Sequence, residues 1–228
     1  MALPAMENSV TVAPDPSTPN TGATGRTTFA AWRSPGAWAL LIAVIAIGLA
    51  IDLASKSWAF ANIAGAPVEF TREQALTTTP LSALIPMHRP RVVVPSILNF
   101  TLVLNPGAVF GIGAGRTVFF IVVTIVAVAF GLGVFIFATR SRDRVSHIGL
   151  GLILAGGLGN LYDRLVYGCV RDFIHPLPKV TWWGSTREVW PYVSNVADLF
   201  LLVGIAMLLW HAWAGERAAR RQPETAAA

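Results

Sequence analysis

Two carboxylates, Asp172 and Asp198, are the side chains in this sequence best placed to do chemistry. Asp172 follows one long apolar run, in Arg171-Asp172-Phe173, and Asp198 opens the next. If those runs are neighbouring antiparallel helices, both acids fall at the same end. Two carboxylates at close range do not both ionise easily and share a proton. One then acts as base toward water and the other as acid toward a carbonyl oxygen, which hydrolyses an amide without a covalent intermediate. A plainer reading of Asp198 also exists: Asn195 precedes it by three, the spacing at which the pair caps a helix.

A second constellation lies just upstream. Ile148 to Leu158 carries no charge and four glycines, which suits a helix packed closely on neighbours in lipid. Asn160, Asp163 and Arg164 then fall within about one helical turn and can share a face. An ionisable group at membrane depth costs roughly 2.5 to 3.5 kcal/mol, so its default reading is functional. An Asp163–Arg164 cluster that only fixes packing is the alternative. Asp52 and Lys56 stand i,i+4 with the acid first, the favourable order for a helical ion pair. They either neutralise each other in lipid or line a polar cavity. Asn105-Pro106-Gly107 marks a turn, which needs no further role. Cys169 is alone, so no internal disulfide or cysteine metal site is possible, and no histidine pairs with it by local spacing. The four histidines lack metal-ligand spacing, and no metal or cofactor is expected. Phosphate-loop, dinucleotide and GxSxG signatures with the right context are also missing.

The elements that must position these groups are membrane spans. Hydrophobic residues make up 54% of the 228-residue chain and charged ones 13%, an apolar excess that a soluble domain does not need. Residues 1–36 are rich in Pro, Thr, Ser, Ala and Gly and read as a disordered tail, with no signal-peptide core after Met1. Apolar segments run from about Trp38 to Phe60, Arg116 to Ala138, His147 to Tyr167 and Val196 to Trp213, each able to span a bilayer. Between them lie two long connections, 61–115 and 168–193. The first contains β-prone stretches at 91–94 and 98–104. In the second, Trp182, Trp183 and Trp190 suit a membrane interface. The fold class expected is an all-α integral membrane protein: one four-helix domain, 37–214, with a small extracytoplasmic β element and a polar tail, 215–228. Arginines 140, 142 and 144, with those after the last span, place both termini and the 139–146 loop in the cytoplasm. The net charge of +5 is dispersed and is read as membrane-surface charge, not a nucleic-acid patch.

These residues carry a resemblance. Asp52-xxx-Lys56, Asn105-x-Gly107-Ala108-x-Phe110-Gly111, Gly156-Gly157-Leu158-Gly159-Asn160-xx-Asp163-Arg164 with Gly168-x-Val170-x-Asp172-Phe173-Ile174, and Asn195-x-Ala197-Asp198 occur in this order. Together they make residues 38–213 similar to the lipoprotein signal peptidases, or signal peptidase II. The resemblance implies a membrane aspartyl endopeptidase of the bacterial cytoplasmic membrane. Such an enzyme cuts prolipoproteins before a diacylglyceryl-modified cysteine and is inhibited by globomycin-like peptides. It implies Asp172 and Asp198 as the catalytic dyad. Asn105, Gly107, Asn160, Asp163, Arg164 and Asn195 would line or brace the site, and Asp52 and Lys56 would support it. Prolipoproteins and membrane lipids are the partners implied, and a monomer is expected. Ser194 and Ala155 depart from the family pattern, which has Phe and Gly there. Residues 66–95 read as an insertion, and their prolines suggest a semi-rigid flap outside the core. Two rival classes remain: a small carrier using Asp52, Lys56, Asp163 and Asp198 as a proton path, and a non-catalytic membrane scaffold. A carrier should show internal repeats, and the sequence has none.

Overall fold

The computed structural model describes residues 29–107 and 117–220. Four helices in it are long and apolar enough to cross a membrane: α1 (Pro35–Asn62), α3 (Thr117–Ala138), α4 (Arg144–Val166) and α5 (Val196–Arg220). A short helix, α2 (Arg72–Thr77), and three strands, β1 (Arg91–Val94), β2 (Leu98–Asn105) and β3 (Val170–Pro176), occupy the two long connections. The protein is thus a multi-pass, mostly helical membrane protein with one small sheet.

α1 begins where the sequence allows a helix to begin. The Ser34 side chain accepts a hydrogen bond from Ala37 N, and Pro35 takes the first helical position, where its missing N–H costs nothing. Residues 29–36, expected to be disordered, are folded here. A 3-10 turn, Ala31–Arg33, is tied to the α3–α4 connection through Ala31 N to Thr139 O (3.0 Å) and Ser141 N to Phe29 O (2.8 Å). The rest of the expected tail, 1–28 and 221–228, lies outside the described residues, as do Ala108, Phe110 and Gly111 of the second motif.

α4 is the central helix. Many of its side chains are buried, whereas α1, α3 and α5 turn broad apolar faces outward, as lipid contact requires. Its glycines explain the close packing. A Cβ on Gly149 would stand 3.1 Å from Gly204 O of α5, and one on Gly156 would run into Ala197 O. Ala155, where the family has Gly, meets Gly48 of α1, so that small pair is shared across the interface.

The sheet is antiparallel in the order β1-β2-β3 and sits at the end of the bundle where α1 and α4 finish and α3 and α5 begin. β1 and β2 fall where the β-prone stretches were read. β3 falls in what was read as a loop. It pairs with β2 so that Asp172 stands opposite Val103 and Val170 opposite Asn105. Its other edge meets Ser194: Phe173 N and Ile174 N donate to Ser194 O at 2.9 and 2.8 Å, and Ser194 N donates to Ile174 O. β3 is therefore held on both sides, by the strand that ends in Asn105 and the segment that leads to Asn195.

The 66–95 segment, read as an ordered or semi-rigid flap, is anchored to the core at α2 while most of its residues stay exposed. Ala75 of α2 is buried with Phe60, Leu102, Leu104, Cys169 and Phe173, and Leu81, Leu84 and Ile85 pack against that cluster. Thr71 and Gln74 close a capping box at the start of α2.

Candidate active site

The backbone pairing just described converges on Asp172, which is 2% exposed on β3. Asn195 Nδ2 donates to its Oδ1 at 2.6 Å, and Asn105 Nδ2 donates to its Oδ2 at 3.1 Å. Asp198, half-buried in the first turn of α5, accepts from Asn160 Nδ2 on Oδ1 (2.9 Å) and from Asn195 N on Oδ2 (3.2 Å). Asp198 N donates in return to Asn195 Oδ1 (3.1 Å), so the capping pair read from the sequence forms. Capping leaves Asp198 facing a cavity of about 400 Å³ that Asp172 also lines. Arg164, Asn105 and Asn160 complete its polar wall, and Trp190, Leu201 and Leu202 its apolar one.

Each amide around the acids is oriented by a second contact. Asn105 Oδ1 accepts from Gly107 N (2.9 Å), in a turn where Gly107 has φ +95°, a value that favours glycine. Asn195 Oδ1 is held by Asp198 N. Asn160 Oδ1 accepts from Lys56 Nζ (2.9 Å) and from Asn195 Nδ2 (3.1 Å). All three therefore turn their NH2 groups toward a carboxylate.

Behind this layer lies a buried ionic cluster. Lys56 and Asp52, both fully buried, make a close ionic contact at 2.8 Å that lacks hydrogen-bond alignment. Asp52 Oδ1 accepts from Ala197 N (2.8 Å), which ties α1 to the first turn of α5. Asp163 does not pair with Arg164 as one reading of the sequence had it. It takes Arg171 instead: Nε and Nη2 donate to Oδ1 at 3.2 and 2.8 Å, and Arg171 N donates to Oδ2 at 3.0 Å. Lys56 Nζ lies 3.5 Å from the same carboxylate. Asp52, Lys56 and Asp163 thus leave one another few unpaired charges, as a group this deep requires. Arg164 lies over the Phe120 ring and donates from Nη1 to Asn160 O (3.3 Å), while its Nε is buried with no partner among the described residues.

Burial raises the Asp172 pKa from the ordinary carboxylate value to about 7, and the charge of Asp198 adds to the rise. The hydrogen bonds from Asn105 and Asn195, and the charge of Lys56, oppose it. A carboxyl with such a value beside a second carboxylate can hold a proton or release one near neutrality. Cys169, 1% exposed, is driven the other way from reactivity. Burial pushes its thiol up to about 12, so it is structural, as its isolation in the sequence implied. Among the described residues no group of three or more His, Cys, Asp or Glu side chains is placed to hold a metal ion.

A family model described as signal peptidase (SPase) II matches residues 44–214. The chain belongs to the signal peptidase II family. A lipoprotein signal peptidase of Desulfitobacterium hafniense is 38% identical over 117 residues, which cover 51% of this chain and 70% of that protein. One of Clostridium novyi is 29% identical over 168 residues, 73% of this chain and 93% of that protein. Two solved structures of bacterial membrane enzymes share the fold. One has a TM-score of 0.58 at 24% identity, covering 82% of this chain and 94% of its own, and the other 0.55 at 22%, covering 76% and 92%. Membership of signal peptidase II implies cleavage of prolipoprotein signal peptides, so the chain is read as a membrane peptidase.

All ten residues singled out in the sequence meet in this region. Arg171 was missed as a site residue and read only as one of the loop arginines. Its adjacency to Asp172 was the available signal. Trp190, read as an interfacial aromatic, also walls the cavity.

Proposed function

We propose that this member of signal peptidase II cuts prolipoproteins before a diacylglyceryl-modified cysteine, with Asp172 and Asp198 as its catalytic dyad. The observation that carries the reading is that both carboxylates line one cavity and are held there by three amides of fixed orientation. At neutral pH one proton is shared across the pair, with Asp172 favoured as its holder by burial. The ionised carboxylate takes a proton from water as the water oxygen bonds to the scissile carbonyl carbon. The protonated one gives its proton to the carbonyl oxygen, forming a neutral tetrahedral diol. Collapse of the diol breaks the C–N bond as the proton taken from water passes to the leaving nitrogen and one diol hydroxyl returns its proton to the other carboxylate, which restores the starting pair. Arg164, at the cavity wall, holds positive charge toward the carbonyl oxygen as its bond polarises. Trp190, Leu201 and Leu202 offer an apolar wall to the lipid-bearing residue, and globomycin-like peptides would occupy the same cavity. Asp52, Lys56 and Asp163 act as braces. The enzyme works in the bacterial cytoplasmic membrane with the dyad near the outer surface and both termini in the cytoplasm.

The test is cleavage of a diacylglyceryl-modified prolipoprotein by purified protein, with and without globomycin. Asp172→Asn and Asp198→Asn should each fold and lose at least about 10³-fold in rate, because an amide cannot take up a proton from water. The double variant should be hardly worse than either. Asp163→Asn should lower the melting temperature and reduce activity only partly, through the loosened Arg171. Substantial cleavage by either dyad variant with its fold intact would sink the mechanism.

A further inference from the structure

A second cavity, of about 290 Å³, lies behind the site, where α1 ends. Its wall is a chain of aromatic rings. Phe60 and Phe70 stand 6.4 Å apart between centroids, and Phe70 and Tyr167 5.6 Å. Val68 N donates to Phe60 O at 2.8 Å, which folds the 67–70 segment back over the helix end to make the enclosure. Into it faces Arg171, only 5% exposed and stacked with its Cζ 4.2 Å from the Tyr167 centroid.

Arg171 is spoken for on one side only. Its Nε and Nη2 go to Asp163, while Nη1 has no hydrogen-bond partner among the described residues. A buried guanidinium seldom leaves donors unpaired, so an open Nη1 at the back of a cavity asks for an acceptor. Glu69 lines the same cavity, is exposed, and makes no ion pair with Arg171. Opposite charges thus line one space walled by rings without pairing. A simple anion would gain from Nη1 and be repelled by Glu69. A zwitterion with its anion and its primary ammonium a few ångströms apart satisfies both charges, and the ring faces favour the ammonium further. The cavity is at the small end for ligand sites, about 300–1,000 Å³. It fits a headgroup and leaves acyl chains outside, along the exposed face of α1 beside Ala61 and Trp58.

We propose that this cavity binds the headgroup of a phosphoethanolamine lipid, phosphate on Arg171 Nη1 and ammonium at Glu69. Because Arg171 is the residue before Asp172 and is clamped to Asp163, an occupied cavity stiffens the root of the strand that carries Asp172.

The experiment needs no substrate, so its outcome is independent of the peptidase reading. The full chain is exchanged from detergent into nanodiscs of equimolar phosphatidylethanolamine, phosphatidylglycerol and phosphatidylcholine, re-extracted, and its retained lipids weighed by native mass spectrometry. Wild type should retain phosphatidylethanolamine at least about fivefold over the other two. Glu69→Gln should lose that preference while melting like wild type. Ala61→Trp, which fills the cavity from the lipid side, should retain none of the three selectively. Equal retention of the three lipids by wild type, or a preference that survives both substitutions, would overturn the proposal and mark the lipid as annular only.

Discussion

Three asparagines surround the two acids, and none is free to flip: Gly107 N, Asp198 N and Lys56 Nζ each hold an amide oxygen. The NH2 groups that remain favour the ionised acids, while burial and mutual repulsion favour protonation. At Asp172 the second pair wins, and its pKa rises to about 7. A raised carboxyl binds more protons in the folded state than in the unfolded one. Its stabilising contribution is full below the unfolded value, near 3.8, and is lost as pH rises through about 7. The ceiling of that loss is about 4 kcal/mol, at 1.36 kcal/mol per pKa unit. Melting temperature in detergent should therefore fall from pH 4 to pH 7, and Asp172→Asn should flatten that slope. A wild-type slope unchanged in the variant would remove Asp172 as its source. Cleavage that depends on a shared proton should likewise decline above about pH 7. A different residue-scale limit comes from Gly159, where a Cβ would fall on Asp52 Oδ2. Gly159→Ala must push Asp52 off Ala197 N, at a cost of about 1 to 3 kcal/mol, read as a lower melting temperature with reduced cleavage.

At the scale of elements, β1 and β2 were legible and β3 was not, for one physical reason. A strand announces itself by alternation of apolar and polar residues when one face meets water. Val170 to Phe173 are all buried, and two of them, Arg171 and Asp172, are charged because Asp163 and the amides are there to receive them. The alternation is erased by partners eight to sixty-seven positions away, which a local pattern does not contain. The same blindness hid the anchoring of α2, since the prolines of 66–95 are local and the burial of Ala75 against Leu102 and Leu104 is not. If α2 is core, replacing residues 72–85 with a short Gly/Ser linker should open that cluster. Cys169, buried and with a thiol raised to about 12, should resist maleimide in the wild type and react in the shortened chain, with a lower melting temperature. An inert Cys169 and an unchanged melt would show that α2 does not seal that cluster.

At the scale of the molecule, the spans were legible to within a few residues at most ends, because a 20-residue apolar run has few alternatives. The last span runs on to Arg220, past the expected end near Trp213, because a helix can continue beyond the apolar core as an exposed amphipathic turn. Four spans sort the charges into two ends. Arg33, Arg140, Arg142, Arg144, Arg217 and Arg220 gather at the end with the short α3–α4 connection. At the other end the sheet and long connections mix Arg72, Arg89, Arg91, Arg171, Lys179 and Arg187 with Glu69, Glu73 and Glu188, so the bias lies in density within short segments and not in bare count. Orientation follows lysines and arginines in short segments near the span ends, so the first end should be cytoplasmic. That orientation would place the carboxylate pair at the outer surface. In a Cys169→Ala background, a membrane-impermeant maleimide added to intact cells should label a cysteine introduced at Ser82, which is exposed, and spare one introduced at Arg142. Permeabilised cells should label both. The reverse pattern in intact cells would put the dyad on the cytoplasmic face, away from any substrate whose signal peptide has already crossed the membrane, and the proposed reaction would have no access to it.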